Sequence, residues 1–181
     1  MPGIHDCPRA FEAAECDALI ALAQEGAREA APVLGDAGYA VDTNFRDVVT
    51  AYRERQPATA WVFDRLDALF AEAAEALGMA VAPLSEPVQI LRYGVGCHFQ
   101  TWHSDAGFDL GGARLISVSA ELSEPGDYEG GLLEIVPETI GRPRTLPRGG
   151  ARFFASRALH RVTPVTRGVR WSLVAWTGAA H

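Results

Sequence analysis

A histidine and an aspartate separated by one residue, His103 and Asp105, form the pair in this chain best suited to binding a metal ion. Alternate side chains of a β-strand point to the same face, so an imidazole and a carboxylate at this spacing lie side by side. Two histidines and one carboxylate form the facial triad that holds non-haem Fe(II) and leaves positions open for O2 and an organic ligand. The pair therefore predicts two of three ligands; the structural alternative for Asp105 is a turn-capping role before Gly107.

The third ligand is expected to be a histidine from another strand, and His160 is the best candidate. His98 lies an odd number of residues before His103, so a regular strand would point its side chain to the opposite face. His5 and His181 lie near the chain ends, where order is often poor. We interpret His98 as a polar residue with a smaller chance of contacting substrate.

A candidate anion-binding group begins the strand-like run from Arg170 to Trp176. The run alternates in polarity, which places Arg170, Ser172 and Trp176 on one face. The planar guanidinium of an arginine can bind a carboxylate through two parallel hydrogen bonds. This face is therefore a candidate pocket wall, although core packing is an equal alternative for Trp176.

Further motifs accompany these residues, in order, over roughly residues 87 to 177. They are Gln89-Ile90-Leu91-Arg92-Tyr93, Gly96, Phe99, Arg114-Leu115-Ile116-Ser117, Asp127-Tyr128-Glu129-Gly130-Gly131-Leu132-Leu133, Phe153-Phe154-Ala155-Ser156, His160-Arg161-Val162-Thr163-Pro164-Val165 and Gly168 followed by Arg170-Trp171-Ser172-Leu173. Together with a helix expected near Phe11 to Leu22, this series resembles the prolyl-4-hydroxylase branch of the Fe(II)- and 2-oxoglutarate-dependent oxygenases. The order of all the motifs carries the resemblance, which no single motif would support.

The resemblance implies that His103, Asp105 and His160 bind Fe(II). It implies 2-oxoglutarate and O2 as co-substrates, with ascorbate as a candidate reductant. In this chemistry 2-oxoglutarate and O2 yield succinate and CO2 while a C–H bond of the substrate is hydroxylated. Because related halogenases carry a small residue where Asp105 stands, hydroxylation is the expected outcome.

The resemblance also implies how the co-substrate is held. Arg170 would bind the C5 carboxylate of 2-oxoglutarate, at a position where many relatives carry lysine. Tyr93 and Ser172 would support it with their hydroxyl groups, with core packing as the alternative for Tyr93.

Three side chains are candidate substrate contacts: Arg92, Arg114 and Trp176. The two arginines would suit an acidic or carboxylate-bearing substrate, with ordinary surface roles as the alternative. Arg46 and Arg53 are weaker candidates, because such residues are more often solvated. In relatives the Gly130-Gly131 segment and residues 106 to 113 border the substrate.

Three functions remain open from the sequence. Hydroxylation of a small molecule, such as a free amino acid or natural-product intermediate, is slightly favoured, because the compact chain has no obvious peptide-binding module. Hydroxylation of a prolyl residue in a peptide or protein is the second, since family membership does not fix the substrate. A non-oxidative, cupin-like binding jelly roll is the third, but it leaves the ordered motifs unexplained.

The bulk properties are those of an ordinary globular protein. Of 181 residues, 48% are apolar and 22% charged. The net charge of −7 argues against a nucleic-acid partner, because phosphate binding depends on Lys and Arg. The three cysteines form no Cys-x-x-Cys pattern, which favours a reducing compartment over a disulfide framework. With neither a secretion signal nor an apolar run of about 20 residues, we expect a cytoplasmic protein without a membrane partner.

Two helices are expected to precede the strands. The amphipathic pattern of residues 11 to 31 predicts the first, ending before Pro32. Pro57, followed by apolar residues at helical spacing, predicts a second that ends at Gly78. The intervening stretch from 33 to 56 is expected to be irregular or briefly extended, and glycines near its start leave open whether residues 36 to 56 form a lid.

After Pro87, short apolar runs broken by Gly and Pro predict seven or eight strands. The runs are 88–94, 97–103, 114–122, 131–136, 151–155, 159–165 and 170–177. This order predicts a mainly β fold with N-terminal helices, a double-stranded β-helix (jelly roll) packed against two α-helices. We expect one domain over residues 1–181, with 1–86 as helical support and 87–177 as the jelly-roll core.

Overall fold

A computed structural model describes residues 3–25, 29–30, 33–35, 38–44, 46–106, 114–137 and 144–180. The described fold is mainly β, with antiparallel sheets and two α-helices. Its elements are β1 (Ile4–Cys7), α1 (Ala13–Gln24), β2 (Glu29–Ala30), β3 (Val33–Gly35), β4 (Gly38–Ala40), β5 (Val49–Arg53), α2 (Ala60–Leu77), β6 (Val88–Tyr93), β7 (Phe99–His103), β8 (Arg114–Glu121), a 3-10 helix (Pro125–Asp127), β9 (Tyr128–Gly130), β10 (Leu133–Ile135), β11 (Ala151–Ala155), β12 (His160–Val162), β13 (Val165–Gly168) and β14 (Arg170–Gly178).

The large sheet has seven strands in the order β1-β11-β8-β14-β6-β5-β2. Both helices pack on one of its faces, α1 against β5 and β6 and α2 against β1 and β11. Buried side chains of this face and of the helices form the main core, with Phe70 of α2 meeting Phe153 of β11 edge-on at 5.2 Å. Because strand side chains alternate, every second residue of these strands faces the other way, toward the site.

A three-stranded sheet in the order β10-β12-β7 covers that second face. A small apolar cluster joins the two sheets, with Leu91 and Tyr93 from β6 against Val162 from β12 and Phe99 from β7. The remaining pairs are β13 with β9 and β3 with β4. The space between the large and the three-stranded sheet is therefore walled by strands on both sides.

The second helix forms and ends much as its sequence predicts. Its buried residues recur at helical spacing. Gly78 ends it in the left-handed conformation (φ 68°), which glycine adopts without steric cost. The helix begins at Ala60, however, rather than at Pro57. Arg65 donates a hydrogen bond to Glu15 of α1 (2.8 Å) and so ties the two helices together.

The N-terminal part contains more strand than we expected. Helix α1 ends at Gln24 instead of residue 31, and β2, β1 and β5 all join the large sheet. The expectation that residues 1–86 serve as helical support is corrected accordingly. Strands this short and this polar show little periodicity of their own; β5 forms because β6 offers it a hydrogen-bonding edge. Neither described helix is long and apolar enough to cross a membrane.

Candidate active site

Two imidazoles and a carboxylate meet where β7 and β12 pair. His160 on β12 is the direct partner of His103 on β7, and Asp105 lies just beyond the end of β7. One potential ligand atom from each of the three residues lies within 4.8 Å of the others. His160 Nε2 is 3.3 Å from Asp105 Oδ2, and His103 Nε2 is 3.9 Å from Oδ1. The structure thus brings together the three ligands that the sequence predicts, at distances that one ion can bridge.

Both imidazoles are held in the same way. Nδ1 of His103 lies 2.9 Å from the carbonyl oxygen of Thr101, and Nδ1 of His160 lies 2.9 Å from that of Ala158. A carbonyl only accepts, so each Nδ1 carries a proton, and each Nε2 has a free lone pair whenever its imidazole is neutral. Fixing the tautomer through the other ring nitrogen is how proteins orient metal-binding histidines. This donor set fits Fe(II).

The carboxylate of Asp105 is oriented by two donors. Ser117 Oγ and Trp176 Nε1 each donate a hydrogen bond to Oδ2, both at 2.8 Å. The backbone N–H of Asp105 donates to the carbonyl of Ser156 at 2.8 Å, which fixes the turn after β7. Oδ1 receives neither of the two side-chain hydrogen bonds and is the oxygen better placed to bind a metal.

The protonation states suit metal binding. Burial and the nearby His160 lower the pKa of His103 to about 4, so this imidazole is neutral near pH 7. Burial alone would raise the pKa of Asp105, but the charge and hydrogen bond of His160 hold it well below its usual range. Burial lowers the pKa of His160, but the charge of the Asp105 carboxylate and its hydrogen bond to His160 outweigh this effect, so the pKa of His160 is raised. A metal ion would replace the proton that His160 holds beside the carboxylate.

The triad opens onto a cavity of about 460 Å³ between the two sheets. Small-molecule sites commonly measure about 300–1,000 Å³. Its walls include apolar side chains from both sheets and a few polar ones: Arg46, Tyr52, Glu86, Gln89, Tyr93, Phe99, Arg114, Ser119, Leu133, Phe154, Val162, Arg170, Ser172, Val174 and Trp176. The cavity can therefore hold an organic ligand beside the triad.

Arg170 lies on the cavity wall but is already paired. Its Nε and Nη2 donate to the two carboxylate oxygens of Glu121 at 3.0 and 2.6 Å, and Tyr128 Oη donates to the same carboxylate at 3.3 Å. Both charged side chains are buried, Arg170 at 1% and Glu121 at 8% exposure. The ion pair uses one edge of the guanidinium and leaves Nη1 outside it.

Two features beside Arg170 fit the expected carboxylate ligand. Ser172, on the same face of β14, has a buried Oγ without a hydrogen-bond partner, a costly state that a bound acceptor would relieve. Tyr93 pairs with Arg170 across β6 and β14, and its buried ring lies 5.4 Å from the guanidinium carbon. The residues present thus fit the far carboxylate of 2-oxoglutarate, provided that it shares Arg170 with Glu121.

The structure places the three candidate substrate residues differently. Arg92 pairs with Trp171 on the face of the large sheet that points away from the cavity and does not line it. Its expected substrate contact is corrected, because strand alternation turns it outward when Leu91 and Tyr93 face inward. Arg114 lines the cavity, but its Nε and Nη2 donate to Glu86.

Trp176 lines the cavity, with the guanidinium carbon of Arg114 over its ring at 3.9 Å. Its Nε1 hydrogen bond to Asp105 makes it a positioning residue for a metal ligand rather than only a wall. No local sequence pattern indicates this bond, because the two residues are 71 positions apart in the chain.

The weaker candidates also separate. Arg46 lines the cavity, whereas the guanidinium of Arg53 donates to the carbonyl of Leu22 near the end of α1. His98 is buried outside the cavity lining, and its Nδ1 accepts a hydrogen bond from the Gln100 N–H at 3.3 Å. Residues 107 to 113, expected to border the substrate, lie outside the described residues, as do 36, 37 and 45 within the stretch considered as a lid.

The Gly130-Gly131 pair is required by close packing next to Arg170. Both residues have positive φ, 74° and 60°. A Cβ on Gly130 would lie 2.2 Å from the carbonyl oxygen of Pro164, and one on Gly131 would lie 3.0 Å from Cδ of Arg170. A larger side chain at Gly130 would therefore collide with the backbone of Pro164, and one at Gly131 would press on the Arg170 side chain.

Sequence reasoning missed Glu121 and the role of Ser117. A glutamate at the end of the otherwise apolar and small-residue strand β8 was a usable signal, because buried carboxylates need a cationic partner. Ser117 offered a weaker signal, since it lies two residues from Ser119 on the same face of β8 and only the tertiary fold brings it to Asp105.

Comparisons with known proteins agree with this site. The model of the 2OG-Fe(II) oxygenase superfamily matches residues 88–178, half of the chain. A PKHD-type hydroxylase of Synechococcus sp. is 37% identical over 54% of this chain and 46% of its own length. One from Nitrobacter winogradskyi is 33% identical over 67% and 54%. The chain thus spans about half the length of these curated relatives.

Solved structures show the same fold at low sequence identity. A prolyl-4-hydroxylase from Pseudomonas putida superposes with a TM-score of 0.73 at 18% identity, covering 99% of this chain and 94% of that protein. A prolyl hydroxylase from Trichoplax adhaerens, solved in complex with a hypoxia inducible factor peptide fragment, gives 0.73 at 16% identity, covering 97% and 83%. The matched segment contains all three residues of the triad, and the chain belongs to the 2OG-Fe(II) oxygenase superfamily.

Proposed function

We propose that this chain is a Fe(II)- and 2-oxoglutarate-dependent dioxygenase that hydroxylates an unactivated C–H bond of a small molecule, such as a free amino acid or natural-product intermediate. The observation that carries the proposal is the cluster of His103, Asp105 and His160 on the wall of a cavity that also holds Arg170. The family implies Fe(II) as the metal and 2-oxoglutarate and O2 as co-substrates. When bound, they supply the oxidising chemistry, in which one oxygen atom of O2 enters succinate and the other enters the substrate.

The chain itself binds, orients and shields. His103 and His160 offer Nε2, and Ser117 and Trp176 hold the Asp105 carboxylate for the metal. Arg170 offers Nη1 to the far carboxylate of the co-substrate. The apolar walls between the sheets keep the reaction out of bulk water, which strengthens every polar interaction inside.

We propose further that the fold is a double-stranded β-helix formed as one domain. The large sheet facing the three-stranded β10-β12-β7 sheet, both antiparallel, supports this description. In such a fold metal ligands from separate strands converge between the sheets. The pairing of β12 with β7 supplies two of the ligands here.

A prolyl hydroxylase acting on a peptide or protein is the second candidate. It is favoured by the structural relatives, which are prolyl hydroxylases, one of them solved in complex with a peptide fragment. The choice between the two depends on whether the substrate enters the cavity whole or presents one residue to it.

Two measurements test the proposed reaction. Fe(II) and 2-oxoglutarate added without oxygen should give a weak visible charge-transfer band, and admitting oxygen should release succinate. His103→Ala and Asp105→Ala should abolish the succinate. A colourless sample would instead favour a cupin-like binding protein, and undiminished turnover in either variant would remove the iron assignment. Arg55→Gln is the matched control, because Arg55 pairs with Asp64 and Asp67 near α2, away from the cavity lining.

A further inference from the structure

Among the described residues, Arg46 is the one cationic side chain on the cavity wall without a carboxylate partner. The other two arginines that line the cavity, Arg114 and Arg170, each donate two hydrogen bonds to a glutamate. The Arg46 guanidinium makes one long hydrogen bond, 3.3 Å, to the neutral amide oxygen of Gln89, and its buried Nε has no partner. Its charge is therefore available to a ligand.

The position of Arg46 is fixed by its surroundings. The next residue, Asp47, pairs with His98 through two backbone hydrogen bonds of 2.9 and 2.8 Å. The Arg46 guanidinium carbon lies 4.9 Å from the centre of the Phe99 ring. Phe99 in turn stacks on His103, with ring centres 3.5 Å apart and planes 12° from parallel. One aromatic ring thus contacts both the unpaired cation and a proposed iron ligand.

Arg46 and Arg170 approach the cavity at different places along β6. Arg46 contacts Gln89, whereas Arg170 pairs with Tyr93, four residues further along the same strand. Arg170 is the cation expected to hold the far carboxylate of 2-oxoglutarate, which leaves the unpaired charge of Arg46 for a second molecule.

We propose that Arg46 binds the carboxylate of the primary substrate, so that this site selects small carboxylate-bearing molecules. The proposal rests on the function proposed above and narrows its substrate class. A guanidinium in a partly desolvated cavity binds a carboxylate through two charge-assisted hydrogen bonds. A free amino acid carries that carboxylate next to its reactive carbons. An internal prolyl residue of a peptide has only a neutral amide there, which forms no ion pair with a guanidinium.

The test pairs each acid with its amide. The full chain, loaded with Fe(II) and 2-oxoglutarate, is assayed for succinate release with L-proline and L-prolinamide, L-leucine and L-leucinamide, other free amino acids with their amides, and an internal prolyl peptide. At least one acid should raise succinate release, with its amide at least tenfold lower in kcat/KM. Amides or the peptide acting as well as the acids would overturn the proposal. So would a panel in which no acid raises succinate release or perturbs the charge-transfer band.

The variant Arg46→Gln tests whether the preference for acids over amides depends on Arg46. It should raise the KM for the active acid at least tenfold while the 2-oxoglutarate concentration that half-saturates the charge-transfer band stays within twofold. A rise in the 2-oxoglutarate requirement instead would overturn the assignment, because Arg46 would then serve the co-substrate. Absence of the band in the unmodified protein would refute the proposed oxygenase function itself. Arg55→Gln again serves as the control and should change neither quantity.

Discussion

Two arginines on the wall of one cavity differ in whether a carboxylate of the protein pairs with them. Arg170 is 1% exposed, and a glutamate receives two of its hydrogen bonds. Arg46 is half-buried, lies over the ring of Phe99 and has only a long contact with a neutral amide. The wall of one cavity therefore carries both a neutralised ion pair and an unpaired positive charge.

Burial explains the difference. A fully buried guanidinium without a counter-ion is too costly, so the fold places Glu121 against Arg170. Burial alone would lower the pKa of Arg170, but the Glu121 carboxylate raises it, so the arginine stays charged. Arg46 keeps partial contact with water and needs no internal partner. At Arg170 a ligand must share the cation with the protein, whereas at Arg46 the ligand itself supplies the counter-charge.

The largest expected effect comes from breaking the buried pair. Arg170→Ala leaves the Glu121 carboxylate buried without a cation, and the free energy of unfolding should fall by about 3–5 kcal/mol. Urea denaturation followed by circular dichroism measures this. Adding Glu121→Leu to Arg170→Met, which removes both charges, should recover much of the loss. A change below about 1 kcal/mol in Arg170→Ala would show that the pair is not buried as described.

Removing only the negative partner of the buried pair, Glu121, should change the binding of 2-oxoglutarate while Arg170 stays in place. Glu121→Gln leaves Arg170 charged and without a counter-ion, so the far carboxylate of 2-oxoglutarate no longer shares it. The concentration of 2-oxoglutarate that half-saturates the charge-transfer band should fall about tenfold, equivalent to about 1.4 kcal/mol. A higher requirement would mean that Glu121 mainly positions Arg170. Glu129→Gln, at an exposed ion pair with Arg167, is the matched control.

Arg114 is the intermediate case, since its ion pair with Glu86 is only partly buried and its guanidinium stacks on Trp176. Arg114→Gln should lower the free energy of unfolding by about 1 kcal/mol, from the sum of a partly screened pair and a cation–π contact. Chemical denaturation of this variant beside Arg170→Ala gives the ranking. Equal losses in the two variants would remove the distinction based on burial.

The smallest effect on stability is expected at Arg46. Arg46→Gln breaks no ion pair and removes the cation–π contact with Phe99, so the free energy of unfolding should fall by about 0.5 kcal/mol. The same denaturation assay measures it, and the substrate KM of this variant carries the functional change. A loss of several kcal/mol would show that Arg46 is a structural residue and that it does not differ from Arg170 in the way described.

Much of the site follows from local sequence. The His103-x-Asp105 spacing and the alternation from Arg170 to Ser172 place these side chains correctly, because strand geometry repeats every two residues. The end of α2 at Gly78 was predicted for a similarly local reason. The strand β1 was not predicted, and β5 was predicted only as part of a stretch expected to be irregular or briefly extended, because their pairing depends on partners distant in the chain.

The sequence by itself determined the metal-binding pair, the family resemblance and the strands that carry the ligands, since all of these depend on spacing within short segments. Only the tertiary structure decided which charges are paired. The pairing of β8 with β14 sets Glu121 opposite Ser172, next to Arg170. Among the described residues, the fold brings only the neutral amide of Gln89 within hydrogen-bonding distance of the Arg46 guanidinium. Charge pairing acts over a few ångströms in space, and no local pattern records which distant residues the fold brings that close.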